Sequence, residues 1–191
     1  MDVFARVFAV VIGEEGGFAA DRDDPGDWTG GKVGAGVLRG TKFGISAAAY
    51  PTLDIAALTT EQARAIYRRD YWAPMQGDAL PPAVALLTFD AAVNNGPARA
   101  ARWLQAALGV AADGVIGPAT LAAAAARAGD VAGLCAEMLA QRLEFMAALP
   151  TWRDFGRGWA RRLCALPFHA MAVGEGQGYP QMTQMTQIKS E

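Results

Sequence analysis

The chain has 191 residues and a mass of 20.0 kDa, which predicts one domain, or one lobe with a smaller second lobe. Hydrophobic residues make up 52% of the chain and charged residues 19%, so there is enough apolar material for a core. The formal net charge of -2 argues against a protein that attracts nucleic acid through its overall charge.

The first predicted element is an amphipathic helix that Asp2 caps and that ends at Gly13. A polar, glycine-rich stretch follows over residues 14–46, with short hairpin strands predicted at 32–33, 37–38 and 43–45. Its acidic residues include Asp21, Asp23, Asp24 and Asp27. A segment this polar cannot be core, and glycines allow backbone to approach a ligand closely. We therefore take this stretch as the candidate active site.

Further helices are predicted along the rest of the chain. Their expected starts are near Thr59, Pro82, Pro97, Pro118, Asp130 and Trp152. Thr59 and Gln62 have the spacing of a capping box, and the helix after Pro82 is apolar on nearly all sides, which predicts a central buried position. Residues 174–191 have no periodicity and are predicted to be a disordered tail. The fold class predicted is all-α, mainly helical, with a small glycine-rich β-hairpin region after the first helix.

The cysteines and the single histidine give little support to other kinds of chemistry. Cys135 and Cys164 lie in apolar helical runs, and we expect buried thiols, with a disulfide between them as the alternative. A histidine-rich zinc site is excluded because His169 is the only histidine. No serine lies in a nucleophile-elbow pattern, so a serine triad has no support. We expect neither a cofactor nor a metal.

Several short motifs occur in a characteristic order. They are EGGF at 15–18, DPG at 24–26, GTKFGI at 40–45, DYW at 70–72, FD at 89–90 and VNNG at 93–96. In this order they resemble glycoside hydrolase family 108, the phage and bacterial N-acetylmuramidases of the lysozyme-like superfamily. DGVIGPAT at 113–120 is similar to the peptidoglycan-binding module at the C-terminus of that family. The resemblance implies a lysozyme-like catalytic region at 1–95 and a helical peptidoglycan-binding-like region, packed on it, at 96–173.

The resemblance also implies roles for individual residues. Glu15 matches the catalytic acid of the EGG motif, and Glu14 is then a bystander. Asp24 follows nine residues after Glu15, the spacing at which related phage lysozymes have their second acid. Thr41 matches the threonine of the motif.

The chain departs from the family pattern between these residues. Asp27 replaces a usual glycine, and residues 28–40 lengthen the segment before Thr41. The longer loop leaves Thr29 as an alternative to Thr41.

This chemistry has a physical basis in the residues themselves. Cleavage of a glycosidic bond requires a proton donor for the leaving oxygen and a carboxylate that stabilises the oxocarbenium ion or activates water. A glutamate at the end of an apolar helix is partly desolvated, so we expect the pKa of Glu15 to be raised. Asp24, in a solvated turn, is expected to stay ionised, and Thr41 or Thr29 to hold the attacking water. Without the resemblance, a helix end followed by a solvated or calcium-binding loop explains the same residues.

Seven residues are candidates for substrate binding. The aromatic ones, expected to stack on sugars, are Phe18, Trp28, Tyr71 and Trp72; the polar ones are Asp90, Asn94 and Asp113. At helical spacing, Tyr71 is equally compatible with a core position.

The leading hypothesis is a peptidoglycan hydrolase of the endolysin type. It would be an N-acetylmuramidase that cleaves the β-1,4 bond between N-acetylmuramic acid and N-acetylglucosamine, with Glu15 as general acid. The alternative is a non-catalytic wall-binding or secretion-assisting protein of the same fold. The expected partner is the glycan strand of peptidoglycan, without nucleic acid or stable membrane insertion, and we expect a monomer.

The start of the chain also bears on where the protein acts. It has no pattern of a cleavable signal peptide, so we expect synthesis in the cytoplasm and action on the periplasmic cell wall after release. A phage lysis enzyme, a virion or gene-transfer-particle component and a bacterial wall-remodelling enzyme all fit, and so do retaining and inverting mechanisms.

Overall fold

The computed structural model describes residues 2–13 and 17–175. The described helices are α1 (Val3–Val11), α2 (Thr60–Tyr67), α3 (Pro82–Asn95), α4 (Pro97–Ala107), α5 (Pro118–Ala126), α6 (Val131–Ala147) and α7 (Trp152–Gly174). Three strands, β1 (Phe18–Ala19), β2 (Thr41–Lys42) and β3 (Ile45–Ser46), form one antiparallel sheet in that order. The predicted fold class, mainly helical with a small β region, is confirmed. From residue 176 onward, the predicted disordered tail lies outside the described residues.

The described residues fall into two compact units. The smaller unit is Ile12–Tyr67, and the helical unit contains the residues up to Val11 and those from Arg68 onward. The predicted boundary between residues 95 and 96 falls inside the helical unit.

The core of the helical unit is built around α3. Every residue from Val84 to Ala92 of this helix is buried, as its apolar sequence predicts. The ring of Phe89 lies 6.0 Å from that of Phe4 of α1, and the Phe4 ring lies 5.2 Å from that of Trp72. Aromatic side chains of this size bury large apolar areas, so this cluster contributes much of the stability of the unit.

Trp72 belongs to this core, and the prediction that it stacks on a sugar is therefore wrong. Its side chain is 1% exposed. It lies at the end of a π-helical turn, Arg68–Trp72, that follows α2. A Cβ added at Gly77 would lie 2.4 Å from the indole ring, so glycine is required there for the indole to fit.

Local capping signals in the sequence are found as predicted. The Asp2 carboxylate accepts a hydrogen bond from the Ala5 N–H at 2.6 Å and so caps α1. Thr59 and Gln62 form the predicted capping box of α2, in which each side chain accepts a hydrogen bond from the other residue's N–H. The Asp130 side chain accepts from the Gly133 N–H and caps α6.

The strands of the smaller unit are only partly those predicted. Residues 32–33 lie in turns, and Leu38 forms only an isolated bridge with Trp28. Phe43 and Gly44, predicted as strand, instead form the two-residue turn between β2 and β3, with φ of +53° and +75°. Positive φ at both central residues matches the right-handed twist of a hairpin. The Tyr67 hydroxyl donates to the Phe43 carbonyl at 2.9 Å and holds this turn.

The cysteines and the histidine lie in the helical unit. Both cysteines are free; Cys135 is buried as predicted, whereas Cys164 is exposed, so the prediction of a buried thiol is wrong there. Burial raises the pKa of the Cys135 thiol to about 11. His169 is buried, and its burial and the nearby Arg162 guanidinium lower its pKa. None of the described helices combines the length and apolar character needed to cross a membrane.

A buried ion-pair network joins four helices of the helical unit. The Asp90 carboxylate of α3 is fully buried and accepts hydrogen bonds from the guanidinium groups of Arg142 of α6 and Arg162 of α7. Arg142 also donates through Nε to Asn95 Oδ1 at 2.9 Å. The Arg162 Nη2 donates to the Val11 carbonyl at the end of α1, at 3.4 Å. The prediction that Asp90 binds substrate is therefore wrong, because the protein itself encloses this carboxylate.

The two arginines decide the protonation state of Asp90. Burial by itself raises the pKa of the Asp90 carboxyl, but the charges and hydrogen bonds of Arg142 and Arg162 outweigh burial and hold the pKa below its usual value. The carboxyl is therefore ionised in the folded protein at neutral pH.

Asp90→Asn should lower the free energy of unfolding by about 3 to 5 kcal/mol, because it leaves two guanidinium groups buried without their anion. Chemical denaturation at pH 7 measures the loss. The matched control is Asp78→Asn, whose carboxylate pairs with exposed Arg68 at 3.5 Å and should cost less than about 1 kcal/mol. Equal losses in the two variants would contradict a structural role for Asp90.

The ion pairs of Asp90 with Arg142 and Arg162 should also make the free energy of unfolding depend on pH. The pKa of the Asp90 carboxyl is lower in the folded protein than in the unfolded chain, where it is near 3.8. The ionised carboxylate therefore stabilises the folded protein fully at pH values above 3.8, and this contribution is lost as the pH falls through the folded pKa. This acid-dependent loss should be present in the wild-type protein and absent from Asp90→Asn.

Candidate active site

The predicted catalytic residues that the structure describes lie in the smaller unit. Asp24 and Thr41 both belong to Ile12–Tyr67. Glu15, predicted as the general acid, and its neighbour Glu14 lie outside the described residues, so their predicted roles are untested.

Asp24 lies at the start of a short 3-10 turn, Pro25–Asp27. Its Oδ1 accepts a hydrogen bond from the Gly26 N–H at 2.7 Å, and its side chain is partly exposed. This local bond fixes the carboxylate to the DPG turn. Asp24 thus lies in a turn and is partly open to solvent, and its role as the second carboxylate stays a prediction.

The nearest partner of the Thr41 hydroxyl is a buried aspartate that the sequence analysis did not select. Thr41 donates through Oγ1 to Asp27 Oδ1 at 2.6 Å. The other carboxylate oxygen, Oδ2, accepts from the Asp21 N–H at 2.6 Å. Asp27 is only 2% exposed, so its carboxylate is largely shielded from water, and a hydrogen bond is electrostatically stronger in such surroundings than in water.

The main chain of Asp27 strengthens the same connection. Its carbonyl accepts hydrogen bonds from the N–H groups of Arg39 and Gly40, at 2.9 and 3.0 Å. Gly40 has φ of +77°, and an added Cβ would lie 2.2 Å from the Ala19 carbonyl oxygen, so only glycine fits there. Gly40 directly precedes Thr41, and the Asp27–Thr41 pair is therefore fixed through both main chain and side chains.

Thr29, the alternative to Thr41, is held within its own loop. Its Oγ1 accepts from the Val37 N–H at 2.9 Å, and its N–H donates to the Val37 carbonyl at 3.0 Å. The isolated bridge between Trp28 and Leu38 closes the same loop. The extra residues thus form a closed hairpin-like loop, and none of the described hydrogen bonds joins Thr29 to Thr41, which lies in the run GTKFGI after this loop.

Two of the predicted sugar-binding aromatics lie in this unit. Phe18 is 48% exposed and lines an open cleft of about 450 Å³ with Arg39, Asp54 and Ile55 among its other residues. Trp28 is partly buried, and its indole N–H donates to the Arg22 carbonyl at 3.0 Å. Phe18 thus offers an apolar ring to a ligand in the cleft, with polar groups beside it.

The remaining predicted binding residues lie in the helical unit. Tyr71 is partly exposed within the π-helical turn. Asn94 is exposed at the end of α3, and its Nδ2 donates to the main-chain carbonyl of Asp90 at 2.8 Å. Asp113 is exposed in the turn before α5. These three stay predictions, in contrast to the buried Trp72 and Asp90.

Asp113 is tied to a buried glutamine that the sequence analysis did not single out. Gln105 of α4 is 1% exposed, and its Nε2 donates to Asp113 Oδ1 at 2.7 Å and to the Val115 carbonyl at 3.0 Å. Its Oε1 accepts from the Gly114 N–H at 2.8 Å. The hydrogen bonds of the Val115 N–H and of Gln105 lower the pKa of Asp113. Gln105 therefore holds the DGVIGPAT turn.

Metal ligands do not cluster in the part of the chain that the structure describes. No group of three or more histidine, cysteine, aspartate or glutamate side chains is placed to hold an ion there.

Comparisons with known proteins agree with the motifs. Residues 8–96 match the family described as Glycosyl hydrolase 108, and residues 99–164 match the one described as Predicted Peptidoglycan domain. Among solved structures, the chain is similar to one described as "Structure of Brucella abortus SagA", with 36% identity and a TM-score of 0.73. That similarity covers 90% of this chain and 95% of the other. The search of curated proteins gave no match. Because the order of the motifs, the match at residues 8–96 and the 36% identity over 90% of the chain agree, the chain belongs to glycosyl hydrolase family 108, with a predicted peptidoglycan domain after its glycosyl hydrolase 108 region.

Proposed function

We propose that the protein is an N-acetylmuramidase that hydrolyses the β-1,4 bond between N-acetylmuramic acid and N-acetylglucosamine in peptidoglycan. The observation that carries the proposal is the succession of a glycosyl hydrolase 108 region and a peptidoglycan domain in one chain. A glycosidase joined to a peptidoglycan domain has the glycan of the cell wall as its natural substrate. We further propose that it acts as a monomer on the periplasmic wall, after synthesis in the cytoplasm and release.

Glu15 is the general acid of this proposal. It follows α1 closely in the chain, and it is the glutamate of the EGG motif. Glycoside hydrolysis needs a carboxylic acid that is still protonated near neutral pH, and an apolar surrounding raises a carboxyl pKa toward that range. Asp24 supplies the second carboxylate, which stabilises the positive charge that develops on the sugar.

Thr41 is the group that holds the attacking water. Because its hydroxyl hydrogen is donated to Asp27, the lone pairs of Oγ1 remain to accept a hydrogen bond. A water that donates to Thr41 and to a carboxylate turns its own lone pair outward, which is the orientation that attack on the anomeric carbon requires. Both a direct displacement and the hydrolysis of a glycosyl-enzyme intermediate need such a water.

Asp27 acts through Thr41 as a positioning residue. Its carboxylate has only acceptor sites when ionised, so the Thr41 hydroxyl has to donate to it and cannot turn its hydrogen toward the water. The Asp21 N–H bond holds the carboxylate in place. Asp27 occupies the position where the resemblance predicts a glycine, so this arrangement accompanies the longer loop at residues 28–40.

Glu15→Gln should lower muramidase turnover by at least roughly 10² to 10⁴-fold, since glutamine cannot donate the proton. Release of reducing ends from purified peptidoglycan measures it, and a thermal melt shows whether the variant folds. Glu14→Gln is the matched control and should keep most activity. A wild-type protein without activity on peptidoglycan would instead favour the non-catalytic wall-binding alternative.

Thr41→Val should reduce kcat by roughly 10-fold or more with little change in KM, because valine keeps the shape but cannot accept from the water. Thr41→Ser should keep most of the activity. Thr29→Val should leave kcat near that of the wild type. All three variants are measured on soluble peptidoglycan fragments, so that kcat and KM can be separated. A larger loss in Thr29→Val than in Thr41→Val would reverse the assignment of the two threonines.

Asp27→Asn should also reduce kcat by roughly 10-fold, with KM preserved, because the amide can present its NH2 to Thr41 and free the hydroxyl hydrogen to turn. The control is Asp23→Asn, an exposed acid in the turn that precedes Pro25–Asp27. A variant that melts at lower temperature but has an unchanged kcat would show that Asp27 only stabilises the fold.

A further inference from the structure

A cleft of about 420 Å³ in the helical unit has a lining that the catalytic proposal does not use. It lies where the end of α3 and the start of α4 meet α6 and α7, and it lies almost entirely in the region matched by the predicted peptidoglycan domain. The residues that matter here are Asn95, Arg99, Arg142, Phe145, Trp159 and Arg162. Its volume is within the range of roughly 300 to 1,000 Å³ that is usual for small-ligand sites.

The cleft has an excess of positive charge. Among the described residues, three arginines line it and none of the lining residues is acidic. Asp90 lies behind the lining, where its single carboxylate pairs with both Arg142 and Arg162. Within the described part of the chain, one negative charge against these two guanidinium groups leaves a positive charge unbalanced, and the exposed Arg99 adds another. An unbalanced charge in a partly desolvated site is unfavourable, and an anionic ligand would offset it.

Arg142 is held ready to bind such a ligand. Its side chain is 3% exposed, and its orientation is fixed by the bonds to Asp90 and to Asn95. Within the described residues, its Nη2 makes no hydrogen bond, so this donor is available to the cleft that Arg142 lines. A guanidinium that is already oriented loses little side-chain entropy when it binds a carboxylate.

Arg99 and the aromatic residues complete the recognition surface. The Arg99 guanidinium lies 4.2 Å from the centre of the Phe145 ring, which holds its charge at the cleft. Trp159 contributes an apolar face and is itself supported by Phe155, with ring centres 5.8 Å apart. Carboxylate-binding cations beside apolar rings suit a ligand that combines acidic groups with short aliphatic or amide portions.

We propose that this cleft binds a carboxylate-bearing peptide of the kind that branches from the glycan strands of peptidoglycan. The choice of peptidoglycan as the source rests on the proposed function, while the choice of a carboxylate rests on the arginines. Neutral sugars have no charge with which to balance them. The cleft therefore recognises the acidic peptide portion of the polymer, and the smaller unit carries the residues proposed to cut its sugar chain.

Titration calorimetry on the full chain tests this with a synthetic peptide, L-Ala–γ-D-Glu–L-Lys, which carries free carboxylates. Arg99→Gln should weaken binding by roughly tenfold or more, the effect of losing one hydrogen bond to a charged group. The matched control is Arg102→Gln on the same helix, an exposed arginine outside the cleft lining, which removes the same charge and should change the affinity less than about twofold. The same peptide with its carboxylates amidated should bind the wild-type protein at least roughly tenfold more weakly.

Several results would overturn the proposal. They are equal weakening by Arg99→Gln and Arg102→Gln, equal affinity for the free and amidated peptides, and displacement of the peptide by an equal concentration of inorganic phosphate. Because calorimetry measures binding without cleavage, these outcomes are independent of the Glu15→Gln assay. An inactive wild-type enzyme would remove the proposed function and leave carboxylate binding at Arg99 to be judged separately.

Discussion

The helical unit depends on one buried carboxylate that is shared by two arginines. Asp90 brings Arg142 of α6 and Arg162 of α7 to the central helix α3, and Arg162 reaches on to the end of α1. Apolar packing brings helices together without fixing how they are oriented toward one another. These hydrogen bonds, in contrast, are all satisfied in one arrangement of the four helices. Because one carboxylate pairs with two guanidinium groups, a positive charge is left facing the cleft. The contact that holds the helices therefore also sets the chemistry of the ligand that the cleft would accept.

A second buried carboxylate has the corresponding role in the smaller unit. Each of its three strands has only two residues, so ladder hydrogen bonds alone cannot hold long loops in place. Asp27 compensates with bonds from Thr41 and from the Asp21 N–H to its side chain, and with two further N–H bonds to its carbonyl. A glycine at this position would supply the carbonyl but no carboxylate. The longer loop and the aspartate thus form one structural solution, which keeps Thr41 in a defined orientation.

Sequence reasoning succeeded where the signal is local and failed where it depends on distant partners. The Asp2 cap and the Thr59–Gln62 capping box each involve residues three positions apart, and both were predictable. Asp27 pairs with a residue 14 positions away, and Asp90 with residues 52 and 72 positions away, so no local pattern indicates either pair. Trp72 and Asp90 were assigned to substrate because a family motif does not distinguish residues kept for packing from residues kept for binding. An arginine within the apolar run of α6 was the available hint of a buried ion pair.

The distribution of charge explains how a nearly neutral chain can suit a polymer of mixed chemistry. Its net charge of -2 hides an acidic segment at residues 21–27 and an arginine-lined cleft in the helical unit. Cleavage of a glycosidic bond develops positive charge on the sugar, which carboxylates stabilise and arginines would oppose. The peptide branches of peptidoglycan carry negative charge, which arginines stabilise and carboxylates would repel. A single surface could not favour both, and so the proposed division places acids with the bond to be cut and arginines with the acidic branch. On this argument, arginines introduced near Asp24 would be expected to hinder hydrolysis even where they strengthened adhesion to the wall.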